Sequence, residues 1–209
     1  MGYNLKQNED GSADFVDHAT GVAQVRMSNA PGSLGDTRDS AVSGLVTKIE
    51  RYGPFFSITF TLTAVEITVT DAAGSGSHGP LKLFDFSANG VQYLACRQNY
   101  TAFAEGAALT GAAGDAVFEI GVGSALIAAA ADGTLATAND DIGGDVNVTL
   151  SGGTGTGTAM TSTQKIVDGT TTATDINLNW SGTAATIDAT STIDVTGTIT
   201  VTGVLLGDD

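Results

Sequence analysis

Residues 152–160, GGTGTGTAM, have the small side chains that let a backbone wrap a phosphate. A phosphate loop also needs a Lys-Ser/Thr ending and a following amphipathic helix. Both are missing, so the stretch reads as a flexible β-turn linker. His18 and His78 are the only histidines, and both sit in Gly-rich or polar segments that read as loops. Neither has a partner at metal-ligand spacing, which argues against zinc. Asp132, Asp140, Asp141 and Asp145 crowd one loop-rich stretch, where carboxylates and backbone carbonyls together could hold Ca²⁺. They lack the alternate-position pattern and closing Glu of an EF-hand and read as solvated loop acids. Cys96 lies in the alternating run VQYLACRQ, the setting of a buried small hydrophobe rather than a nucleophile. A carboxylate pair for glycoside hydrolysis would need sugar-stacking platforms beside it, and the chain has one Trp and 6% aromatics. The expectation is no enzymatic activity, no cofactor and no metal.

The balance of charge narrows the partners. The net charge is −15, and charged residues make up 15% of the chain against about 25% in an ordinary soluble domain. Up to Arg97 there are 7 Lys/Arg against 10 Asp/Glu, and from Gln98 onward Lys165 stands alone against 13 acids. Phosphate backbones and anionic membrane surfaces require clustered basic residues, so neither nucleic acid nor membrane is expected as a partner. A single cysteine excludes an intramolecular disulfide framework, leaving packing or assembly to supply stability. No apolar signal core and no run of about 18 apolar residues is present, which reads as a chain made in the cytoplasm without an ordinary export signal.

These residues must be positioned by strands. Residues 1–43 mix both charge signs with Gly and Asn and keep no period, and they read as an extended N-terminal arm with at most one short strand around Val22, Val25 and Met27. Residues 44–209 alternate apolar residues with Thr in short runs separated by Gly-rich turns, the pattern of an all-β sandwich or jelly-roll-like knob. Within ITFTLTAVEITVT the apolar set changes parity: Ile58, Phe60 and Leu62 are even, whereas Val65, Ile67 and Val69 are odd. Such a change requires a β-bulge or a crossing between packed sheets near Ala64. Alternation is clear again in Val146, Val148, Leu150; in Ile176, Leu178, Trp180; and in Ile193, Val195, Ile199, Val201. The alanine-rich stretch SALIAAAADGTLATANDDI favours one short helical turn capped by Ser124 or Thr134. The uncharged TGTITVTG reads as an aggregation-prone edge that must be paired or covered, an argument for an oligomer.

The stretch GPFFSITFTLTAVEITVTDAAGSGSHGPLKLFDFSANGVQYL, the Ala/Gly/Thr-rich middle and the closing DINLNWSGTAATIDATSTIDVTGTITVTG resemble the decoration or cement proteins of tailed bacteriophage heads. The resemblance covers residues 44–209 and is one of composition and pattern. It implies a β-rich knob, commonly a homotrimer, on the outer surface of the virion, where it binds the major capsid protein lattice and holds neighbouring capsomers together. Under that implication the arm wraps a neighbouring protein, with Phe15, Val22, Val25, Arg26, Met27 and Arg38 as its docking residues. The alternative is a head-fibre or tail-fibre component whose loops bind host surface glycans.

Overall fold

The computed structural model describes residues 3–7, 13–17, 23–27, 42–71, 77–86, 90–105, 117–128, 135, 138–149, 154–161, 165–167, 174–182 and 191–207. Alternating apolar and Thr residues bury one face only in an extended backbone, and these residues accordingly form strands. Near the N-terminus β1 (Tyr3–Gln7), β2 (Ala13–Asp17) and β3 (Ala23–Met27) make an antiparallel three-stranded sheet of their own. The remaining strands are β4 (Leu45–Tyr52), β5 (Phe55–Asp71), β6 (Ser77–Asp85), β7 (Gly90–Glu105), β8 (Val117–Gly123), β9 (Gly144–Thr149), β10 (Thr154–Thr161), β11 (Ile166–Val167), β12 (Asp175–Gly182) and β13 (Ser191–Gly207). They form one antiparallel sheet in the order β10-β7-β13-β5-β6-β12-β8-β9, with β11 added to β7 and β4 added to β5. Among the described residues there is no helix.

The sheet curls into a half-barrel because β5 serves two neighbourhoods. Most of its length pairs with β13, whereas Thr70 and Asp71 at its end pair with His78 and Ser77 of β6. The leaf containing β4, β5, β13, β7 and β10 thereby folds over the leaf containing β6, β12, β8 and β9. Contacts across the gap show the two leaves face to face: Phe103 lies 6.1 Å from Trp180 by ring centroid, and Phe56 lies 5.4 Å from Phe86. Tyr93 donates to the Asp175 carbonyl at 3.4 Å. Gln98, buried on β7, donates to the carbonyls of Gly143 and Gly144 at 2.8 and 3.1 Å and accepts from the Tyr100 hydroxyl at 2.6 Å. One core results, containing the three apolar series Ile58–Phe60–Leu62, Val65–Ile67–Val69 and Ile176–Leu178–Trp180.

The parity change in β5 is a bulge. Val65 pairs with Val195 and Leu62 with Gly197, so Thr63 and Ala64 together face Thr196. Leu62 and Val65 are both buried, and Ala64 takes the strained left-handed conformation at φ 48°. A second bulge faces the first from the other side of β13, where Ala102 pairs with Thr196 and Tyr100 with Gly197, leaving Thr101 extra on β7. Thr196 serves both: its hydroxyl accepts the Ala64 N–H at 3.0 Å and its carbonyl accepts the Thr101 hydroxyl at 3.4 Å. The two bulges bend the neighbours of β13 at the same level while β13 keeps one parity from Ser191 to Leu205.

Three expectations need correction. Residues 154–161, read as a linker, form β10 and pair with β7 from Ala104 to Cys96. Thr and Gly alternate from Thr154 to Thr158, and the apolar Ala159 and Met160 are adjacent instead of alternating, so the strand escapes a reading based on hydrophobic alternation. The strand containing TGTITVTG is no edge, because β13 lies between β5 and β7. The exposed-edge argument for a homotrimer therefore has no premise in this fold. The described part of the alanine-rich stretch is irregular rather than helical, since its backbone groups are taken by side chains of the strands beneath it.

Candidate docking face

The outer face of the first leaf is ordered in cross-strand rows. Ser57 lies opposite Thr202, Thr59 opposite Thr200 and Thr61 opposite Thr198, so short hydroxyl side chains cover the middle of β5 and β13. The Thr59 and Thr200 hydroxyls share a hydrogen bond of 3.3 Å. The last row differs: Tyr52, Phe55, Val204, Gln92 and Ile166 follow one another across β4, β5, β13, β7 and β11. Tyr52 is 76% exposed, Ile166 59%, Phe55 55%, and Leu206 at the end of β13 is 47% exposed. Large apolar residues collected in one place on a surface of small hydroxyls mark an interaction site more often than a solvated one.

The turn beside that row is stiff. Tyr52 and Phe55 flank the two-residue Gly53-Pro54 turn, where Gly53 has φ 61° as the first position of a type II′ hairpin turn requires. The Arg51 Nε donates to the Gly53 carbonyl at 2.8 Å, and the Leu205 N–H donates to the Pro54 carbonyl at 2.9 Å. The aromatic pair is thus presented by a hairpin tied to β13. The doublet Phe55-Phe56 held the sequence signal: in a strand one of two adjacent aromatics faces outward, and Phe56 belongs to the buried parity.

The residues with chemical potential are otherwise occupied. Cys96 is buried, and burial pushes its thiol up to about 12, in keeping with a small core hydrophobe. His78 begins β6, not a loop, and lies opposite Ser181, whose other neighbour is Glu119 on β8. This acid–hydroxyl–imidazole row has the serine in the middle, whereas nucleophile activation requires the base between serine and acid. Ser181 is fully buried, its hydroxyl and His78 Nδ1 have no hydrogen-bond partner among the described residues, and Glu119 accepts the Leu135 N–H at 2.6 Å. Asp141 is no solvated loop acid: it accepts the Ser124 N–H and hydroxyl at 2.8 and 2.9 Å and pairs with Lys165 at 3.0 Å. Among the described residues no group of three or more His, Cys, Asp or Glu is arranged to hold a metal ion. His18 and Asp132 lie outside the described residues.

Of the expected docking residues, Phe15 lies on β2 opposite Val25 on β3, Arg26 pairs with Asp14 and Met27 with Ala13. Val22 and Arg38 lie outside the described residues. The exposed row on the half-barrel escaped the sequence reading because its members come from five strands and meet only through register.

Burial raises Glu119, Asp140 and Asp175 above the ordinary carboxylate range; Lys82, 2.9 Å from Asp175, offsets part of the last shift. A carboxyl with a raised folded-state pKa binds its proton more tightly folded than unfolded. Its contribution to stability is complete below the ordinary carboxylate values and disappears as pH rises through the folded values. The unfolding free energy from urea titration is therefore expected to be larger at about pH 5 than at about pH 8. Equal values, or greater stability at the higher pH, would contradict this reading of the three carboxylates.

No family model, curated protein or solved structure matches the chain.

Proposed function

We propose that this chain is a structural virion protein, a capsid decoration or cement protein, that binds the outer surface of the major capsid protein lattice and stabilises the head. The exposed apolar row Tyr52–Phe55–Val204–Ile166, presented by a hairpin braced against β13, is the observation that carries the reading. A cement needs a stiff body and a sticky patch that burial on another protein can reward. A curled sheet of short side chains supplies the first, and this row supplies the second. The sequence resemblance to phage decoration proteins gives the partner its name.

The test is occupancy on particles assembled from the cognate major capsid protein without this chain. Phe55→Asp combined with Ile166→Asp places charges on both sides of Val204 within the row, on side chains that the fold leaves exposed. Binding is expected to weaken at least about a hundredfold while the melting temperature changes little. Full occupancy by the double variant would remove the row from the interface. Deleting residues 1–40 separates the other contribution, because loss of binding by a folded truncated chain assigns docking to the arm. The fibre alternative has one observation in its favour, the exposed Tyr52–Phe55 pair, since adjacent aromatic faces can stack on sugar rings. The chain's Trp180 gives it no support, being buried in the core.

A further inference from the structure

We propose that β4 is a pairing edge at which two copies of this chain join antiparallel about a two-fold axis through Ile49, continuing the sheet from one copy into the other. Among the described residues β4 pairs with β5 alone, so its second edge has no strand beside it. The two-residue turn closes on a pair, Tyr52 and Phe55, that spends its backbone groups on each other. By the alternation of an antiparallel ladder Glu50, Lys48 and Val46 do the same with β5, and Thr47 and Ile49 direct their N–H and C=O groups to the open edge. The Leu45 N–H, which belongs to the second set, is accordingly turned away from β5 to the Val42 carbonyl at 3.2 Å.

A two-fold axis at Ile49 sets each residue opposite the one whose number completes 98, and the sequence is complementary to itself in that register. Lys48 meets Glu50 of the second copy and Glu50 meets its Lys48. Val46, 63% exposed, meets Tyr52, 76% exposed, and the reverse. These pairs occupy non-hydrogen-bonded positions, where side chains approach most closely. Thr47, whose buried hydroxyl has no partner among the described residues, comes opposite Arg51 of the second copy. Lys48 and Glu50 of one chain pair with each other at 2.8 Å on the exposed face. The arrangement pairs the β4 edge of each copy with that of the other and closes, so at this edge it ends at two copies instead of growing. It is argued from the edge of β4 and does not rest on the capsid reading, although Tyr52 belongs to both surfaces.

Charge reversal tests the register. Light scattering on the full chain at about 50 μM and near-physiological salt should give twice the chain mass. Lys48→Glu alone places two acids opposite two acids, and Glu50→Lys alone places bases opposite bases. Each is expected to weaken self-association by about tenfold or more with the fold intact by circular dichroism. An equimolar mixture of the two variants should recover the dimer, because every cross-strand pair is then of opposite sign. A wild-type monomer or trimer, single variants that dimerise like wild type, or a mixture that stays monomeric would each overturn the proposal.

Discussion

Leu62→Asp and Val65→Asp are each expected to destabilise the protein by more than about 4 kcal/mol, enough to unfold a domain of ordinary stability. On a regular strand residues three apart point to opposite faces, and one of the two substitutions would be harmless. Here the extra residue at Thr63-Ala64 returns both side chains to the core, where neither carboxylate would find a partner among Phe, Val and Ile. Thr61→Asp, on the exposed face of the same strand, should cost less than about 1 kcal/mol. Urea unfolding of the three variants decides it. An unchanged midpoint for Val65→Asp beside an unfolded Leu62→Asp would restore a strand with a single buried face.

The second large effect is expected at Asn179. Its side chain accepts the Ile127 N–H at 2.9 Å and donates to the carbonyls of Ala125 and Asn139 at 2.9 and 2.7 Å. One amide thereby holds both sides of the segment that covers the outer face of β12, assisted by Asp141 on Ser124. Asn179→Ala strands the Ile127 N–H and the Asn139 carbonyl under cover, leaves the Ala125 carbonyl only the 3.4 Å bond from Asn139 Nδ2, and should cost about 2–4 kcal/mol. Asn179→Asp should cost more, since a carboxylate would face two carbonyl oxygens with no hydrogen to offer. Native-state hydrogen exchange reads the effect at Ile127, whose N–H should lose protection well before the strands do. Equal protection in wild type and Asn179→Ala would show that the cover holds without this amide.

The architecture was legible wherever apolar residues alternate. DINLNWSG is β12 from end to end, and FFSITFTLTAVEITVTD is β5, bulge included, because a parity change leaves a trace in the order of residues. Where Thr and Gly alternate in place of apolar residues no such trace exists, as over most of β10. Asn177, Asn179 and Ser181 are buried on the face of β12 opposite Ile176, Leu178 and Trp180, although alternation marks that face as solvent-exposed. A cover made by residues forty or more positions away in the chain has no local signature. The docking face was hidden for the same reason: Tyr52 and Ile166 share a row only because β5, β13 and β7 lie between them in register. An exposed edge was sought at the C-terminal strand, where charge is lowest, but topology places that strand inside the sheet and leaves an edge at β4, where Lys48 and Glu50 alternate outward.

The central claim, a decoration protein of a capsid lattice, is tested most directly by copy number. Quantitative mass spectrometry of purified particles that contain this chain should find it in proportion to the capsomers, with a molar ratio to the major capsid protein set by lattice positions. Recovery in only a few copies per particle, or with tail components after heads and tails are separated, would contradict the account and place the chain on a fibre.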